Sequence, residues 1–180
     1  MLELPLAPWA GIRRQDLLEL LKKLDQQILV LDHAVKKAAE ENEKACLLMT
    51  QPGVGPITSL AFVLTIGDAA RFPRGKQVAS YLGLIPTEYS SGSKRRLGSI
   101  SKQGNRFLRM LLVEAAQSVI RHDPKFLKEY QHRCHYKPKA VAKVAAARKL
   151  AVRLFWMLRT NKPYPEVVRI ESSSQDALAG

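Results

Sequence analysis

The stretch LGLIPTEYSSGSKRRLGSISKQGNRFLRMLLVEAA, Leu82 to Ala116, decides how the rest of the chain is read. It opens on an apolar turn, Leu82-Gly83-Leu84-Ile85-Pro86, and passes through Ser90-Ser91-Gly92. Glycine there admits backbone shapes that a side chain forbids. Lys94, Arg95 and Arg96 follow, then Ser101-Lys102-Gln103-Gly104-Asn105, and the stretch ends in a helical pattern carrying Arg106 and Arg109. Between Arg71 and Met110 stand nine Lys or Arg and one acid, Glu88. Hydroxyls, glycines and clustered cations together suit a surface that holds phosphates.

Working outward, the 180 residues carry a net charge of +13 and are 46% hydrophobic, enough to bury one core. Residues 1–50 hold seven bases and eight acids, whereas 71–160 hold twenty bases and four acids. The excess therefore belongs to the second part, where it favours a polyanionic partner, nucleic acid ahead of a membrane surface. Cys46 and Cys134 form no disulfide framework, no apolar run approaches a membrane span, and the start lacks the features of a signal peptide. These features lead us to expect a cytoplasmic protein.

Pro5, Pro8 and Gly11 suggest an irregular lead-in over 1–14. From residue 15 to 45 a long helix is expected. Leu17, Leu21, Leu24, Ile28, Leu31, Val35 and Ala38 alternate spacings of four and three, a heptad seam suited to self-association or to docking on a partner helix. The domain expected next, 46–160, opens on Gln51-Pro52-Gly53-Val54-Gly55-Pro56 between two helical patterns. Helix, Gly-apolar-Gly turn and helix is the arrangement of a helix-hairpin-helix element, whose free N–H groups face a DNA phosphate; ordinary helix connections use glycine as well. Further helices are expected over 75–84, 105–122, 125–135 and 139–160, with Asp123 as a cap and Pro124 behind it. Residues 86–104, with three glycines and six serines or threonines, read as a loop or small ribbon, and 161–180 as a flexible tail. The fold class is mainly α.

The candidate phosphate contacts are Gly53, Gly55, Arg74, Lys76, Lys94, Arg95, Arg96, Lys102, Arg106 and Arg109. A metal reading of His122, His132, Cys134 and His135 lacks ligands at helical spacing, and Asp68, Glu88 and Glu114 show no two-metal pattern, so no metal or other cofactor is expected in this chain. Ser90 and Ser91 stand beside cations that could stabilise a pentacovalent phosphorus under attack by a hydroxyl, although serines before glycine also simply build turns.

Three segments, LLMTQPGVGPITSLAFVLTIGD, RFPRGKQVASYLGLIPTEYSSGSKRRLGSISKQGNRFLRMLLVEAA and AKVAAARKLAVRLFWML, resemble in order and spacing the carboxy-terminal domain of the insertion sequence 110 family of bacterial transposases, relatives of the Piv DNA invertase. The resemblance covers about Leu47 to Leu158, and the helix before it resembles the family's coiled coil. It implies a DNA recombinase in which a ribonuclease-H-like domain with four acidic residues works with a serine of this domain. It also implies a structured guide RNA as partner, beside the DNA of element ends and target. The family's serine falls in the SSG segment, so the resemblance implies Ser91 as nucleophile, with Ser90 and Ser101 in reserve. No room for the acidic domain is seen before residue 15. The chain alone is thus expected to be inactive, with Mg2+ entering only alongside that domain. The alternative expectation is a non-catalytic helix-hairpin-helix DNA-binding remnant or regulator.

Overall fold

The computed structural model describes residues 7–89 and 96–168. It is mainly α, as the sequence implies, and divides into two compact units, 1–37 and 38–180. The first unit holds most of α1, Pro8–Glu40. This helix starts at Pro8 rather than at residue 15, because a proline at the first helical position loses no intrahelical hydrogen bond. It stops before Asn42, which caps α2, Glu43–Met49, by accepting from the Ala45 amide at 3.0 Å. Along α1 the seam residues Leu17, Leu21, Leu24, Ile28 and Leu31 are 45–64% exposed.

The second unit packs α2, α3 (Pro56–Ile66), a 3-10 turn (Ala69–Arg71) and α4 (Gly75–Tyr81) around a central pair, α5 (Arg106–His122) and α7 (Lys139–Thr160), with α6 (Pro124–Tyr136) between the latter two in sequence. Leu108, Leu112, Ala115, Ala116 and Val119 recur at helical spacing and bury one side of α5. Ala142, Ala146, Ala147 and Ala151 do so on α7, letting its neighbours approach closely. Val144 beside them is half-buried, and Ala140 near the start of the helix is exposed. At the start of α4, a side chain on Gly75 would stand 2.7 Å from a Val152 methyl, so glycine lets α4 rest on α7. Arg159 near the end of α7 donates to the carbonyls of Ala70 and Phe72, at 3.1 and 2.8 Å, and holds the 3-10 turn.

Between α4 and α5 runs an antiparallel ribbon, β1 (Pro86–Glu88) and β2 (Leu97–Ile100), pairing Pro86 with Ile100 and Glu88 with Leu97 across an irregularity. Tyr89 N–H donates to the Arg96 carbonyl at 2.9 Å, and Ser101 N–H to that of Ile85 at 2.8 Å. The base of the ribbon closes by direct backbone contact. Gly83 and Gly104 both have positive φ, 67° and 76°. A Cβ on Gly83 would fall 2.1 Å from the Gln103 oxygen, and one on Gly104 2.1 Å from the Tyr81 oxygen. Only residues without a side chain let the two segments meet.

Asp123 ends α5 and begins α6. Its Oδ1 accepts from the amides of Lys125 and Phe126, and its Oδ2 from Arg153 Nη1 at 2.9 Å and from the Tyr164 hydroxyl at 3.1 Å. The pair is closed to solvent, with side chains 1% (Arg153) and 4% (Asp123) exposed. Arg153 also lies over the Phe126 ring at 4.6 Å. Its place on α7 suggests a solvated basic face, but Asp123 draws it into the interior. Burial raises the Asp123 pKa, yet the hydrogen bond and charge of Arg153 and the amides of Phe126 and Lys125 outweigh it, leaving the carboxyl below its ordinary value.

Removing Asp123 strands a buried guanidinium. Asp123→Ala should therefore cost about 3–5 kcal/mol in urea unfolding, far more than loss of a helix cap alone, at about 1 kcal/mol. Because the folded carboxyl titrates below the unfolded one, its stabilisation is present above the unfolded pKa of about 3.9 and is lost as pH falls through the folded value. Unfolding at pH 7 and at pH 3 should show the gap between wild type and Asp123→Asn narrowing on acidification; a constant gap contradicts a charged Asp123.

Candidate nucleic-acid interface

The ribbon base is where several elements converge. Arg109 points back from the first turns of α5, its Nη1 donating to the carbonyls of Gln103, Gly104 and Leu82 at 2.5, 3.1 and 3.3 Å. One guanidinium thus holds the two segments that the paired glycines bring together. Asn105 caps α5 by accepting from Leu108 N–H at 3.0 Å, and its amide donates to Thr65 Oγ1 near the end of α3 at 3.4 Å. Arg71 lies over the rings of Phe72 and Tyr81, at 4.5 and 4.9 Å, beside the segment that Gly104 abuts. The ends of α3 and α4, the 3-10 turn and the start of α5 therefore meet at the foot of the ribbon.

The exposed cations at this end are Arg71, Lys102 and Arg106, with Arg96 on the ribbon. Lys102 takes a left-handed backbone conformation, φ 56°, as the chain leaves β2. Arg74 and Lys76 sit at the opposite end of α4, where both are exposed. Cations outnumber acids here, Glu88 being the one acid between Arg71 and Met110 and lying exposed on β1. Asp68 caps the Ala70 amide at 2.8 Å, Glu114 accepts from Gln117 at 3.1 Å, and Glu129 is paired with Lys149. Among the described residues no three His, Cys, Asp or Glu side chains gather as metal ligands, and these acids do not fit a two-metal centre.

The two turn glycines behave differently. Gly53, with φ 86°, faces α5, and a Cβ there would stand 2.7 Å from the Val119 nitrogen, so packing accounts for it. Gly55 is the N-cap of α3 and looks onto open space, with nothing within 4 Å of the point a Cβ would occupy. Of the two turn glycines, Gly55 alone has open space beside it at the start of α3. Ser101 is half-buried, and its Oγ is enclosed without a hydrogen bond among the described residues. Ser90, Ser91, Lys94 and Arg95 lie outside the described residues.

Sequence reasoning places Arg109 among the phosphate contacts, whereas the structure gives its Nη1 three backbone carbonyls. It also misses the paired roles of Gly83 and Gly104. The signal is present, since both glycines stand in the motif stretch at either foot of a ribbon-like segment, but their partnership is a tertiary fact. Arg159 gives no signal at all.

Residues 45–131 match the family described as Transposase IS116/IS110/IS902 family. Over 117 residues, 65% of the chain, it is 35% identical to a "Probable family 20 transposase" of Pseudomonas aeruginosa and covers 35% of that protein. It is 38% identical over 104 residues to the "Transposase for insertion sequence element IS1111A" of Coxiella burnetii, covering 58% of this chain and 28% of the relative. With the "Pilin gene-inverting protein" of Moraxella bovis the identity is 33% over 147 residues, 79% of this chain and 44% of that one. The chain spans between 28% and 44% of the length of these relatives. Residues 45–131, which contain the PGVGP turn, the closed ribbon and the helix that Asn105 caps, are a domain of the IS116/IS110/IS902 family of transposases.

Proposed function

We propose that this chain is the DNA-gripping part of an insertion-sequence transposase and that it supplies the serine of a recombination reaction. The observation that carries the proposal is the foot of the ribbon: family motifs meet there, exposed cations surround it, and over 71–110 nine Lys or Arg stand against one acid. Arg71, Lys102 and Arg106, with Arg74 and Lys76 along α4, contact phosphates, and Lys94, Arg95 and Arg96 add to them. Arg109 contributes by holding the ribbon closed. Gly55 leaves the start of α3 open to a backbone phosphate.

In the reaction, the Ser91 oxygen bonds to phosphorus while a phosphodiester P–O bond to deoxyribose breaks. The serine proton passes to a base, the freed strand end keeps a hydroxyl, and the phosphoserine link stores the bond for rejoining. The cations stabilise charge on the pentacovalent phosphorus. No acid of this chain is asked to hold a metal ion. Mg2+ belongs with an acidic nuclease domain, and a structured guide RNA directs the assembly.

A second copy of the chain pairs through α1. Its seam leucines are more than two-fifths exposed. In a parallel register Asp25 and Asp32, flanking the seam, stand against Leu20 and Gln27 of the second copy, so no like charges meet.

Duplex DNA affinity should fall steeply as salt rises, because each neutralised phosphate releases counterions. Replacing Lys94, Arg95 and Arg96 together by Gln should weaken binding to all sequences alike and flatten the log–log slope by about 0.9 for each phosphate no longer neutralised. A salt-independent affinity contradicts the phosphate grip. In sedimentation at tens of micromolar the wild type should form dimers or larger species, and Leu24→Glu/Ile28→Glu should be monomeric; monomers in both would show that the seam does not pair copies.

A further inference from the structure

A second basic surface lies on α6, a helix that carries none of the phosphate contacts assigned above. Lys125, Lys128, His132 and Tyr136 follow one another at spacings of three, four and four, which sets them in one row along the helix. All four are exposed, Tyr136 by 74%. The opposite side of α6 carries buried Phe126 with half-buried Tyr130 and Cys134, so packing on the core accounts for that side and not for this one.

Two features make the row more than a solvated helix face. First, among the described residues the acids of its own helix are turned to other partners: Asp123 at the head of α6 is buried against Arg153, and Glu129 is paired with Lys149 on α7. Second, the aromatic ring at its end is held in place. His132 and His135 each form a T-shaped pair with Tyr136, with centroids at 5.4 and 6.5 Å and interplanar angles of 66° and 72°. The Tyr136 ring meets these neighbours and still leaves most of the residue open to solvent, 74% exposed.

We infer that this row binds single-stranded nucleic acid, with the two lysines tracking phosphates and an unpaired base stacking on Tyr136. A steadied, exposed ring at the end of a line of cations is what a single strand recognises, since every unpaired base offers a flat face. A duplex offers edges in its grooves instead, and gains little from such a ring. The inference does not depend on the ribbon or on Ser91. Unpaired strands arise wherever a duplex is opened for strand exchange or where an RNA folds into loops, and the chemistry seen by α6 is the same.

The test compares fluorescence anisotropy of a labelled strand of about 15 nucleotides, within the span of known single-strand sites, with that of the same sequence as duplex DNA. Tyr136→Ala should lower single-strand affinity about tenfold and leave duplex affinity within twofold, whereas Tyr136→Phe should bind as wild type. Lys125→Gln/Lys128→Gln should flatten the single-strand salt slope by about 1.4, at about 0.7 per neutralised phosphate. Running the strand as DNA and as RNA identifies the source, by which of the two loses more in Tyr136→Ala. Unchanged single-strand affinity in Tyr136→Ala, or an equal loss on strand and duplex, overturns the inference. Because Lys94, Arg95 and Arg96 are untouched here, failure of this surface is distinguishable from failure of the ribbon site.

Discussion

The carboxylate of Asp123, buried against Arg153, is the constraint on which the helical body depends. It closes α5, opens α6, receives α7 and is reached by Tyr164 from beyond α7. A charged pair in the interior gains little net stability over an apolar one, but it costs heavily when half-made, so it discriminates against misplaced helices. Fixing α5 in this way fixes its other end too, where Asn105 and Arg109 organise the foot of the ribbon. Local capping, tertiary packing and the functional surface are therefore linked along one helix.

At that far end the determining feature is the absence of side chains. Gly83 and Gly104 let two backbone segments meet, and Arg109 satisfies the carbonyls that the meeting leaves exposed. The ribbon is short, and two strands alone are marginally stable in water. Its anchorage in the domain comes from this closure rather than from the ladder. For the proposed serine attack a rigid base is an advantage, because a misplacement of about 1 Å can cost about a hundredfold in rate.

Much of this is legible in the sequence. The last helix has the bounds its composition implies, Lys139 to Thr160, and Asp123 and Pro124 occupy the cap and first position expected of them. These are local effects, carried by residues within a turn of one another. What the sequence hides is tertiary. Arg153 shares helical spacing with exposed cations, and only the approach of α6 shows that it is buried. Gly53 looks like a phosphate-facing glycine until α5 is seen to fill the space beside it. Pro8 suggests a break, although proline is equally at home at a helix start. The family motifs are the strongest signal for the ribbon site, whereas the row on α6 belongs to no motif and emerges only once its two neighbouring acids are seen to be paired.

The central claim is that this domain delivers a serine to DNA. Its most direct test supplies the chain with the acidic nuclease domain of a close relative, its RNA and element-end DNA, then looks for a denaturant-resistant protein–DNA adduct by mass spectrometry. The account predicts an adduct on the peptide carrying Ser91, abolished by Ser91→Ala while salt-sensitive DNA binding persists, since one neutral hydroxyl adds little to many phosphate contacts. Recombination that proceeds with Ser90, Ser91 and Ser101 each replaced by Ala would contradict it, and would leave this domain as a grip on DNA alone.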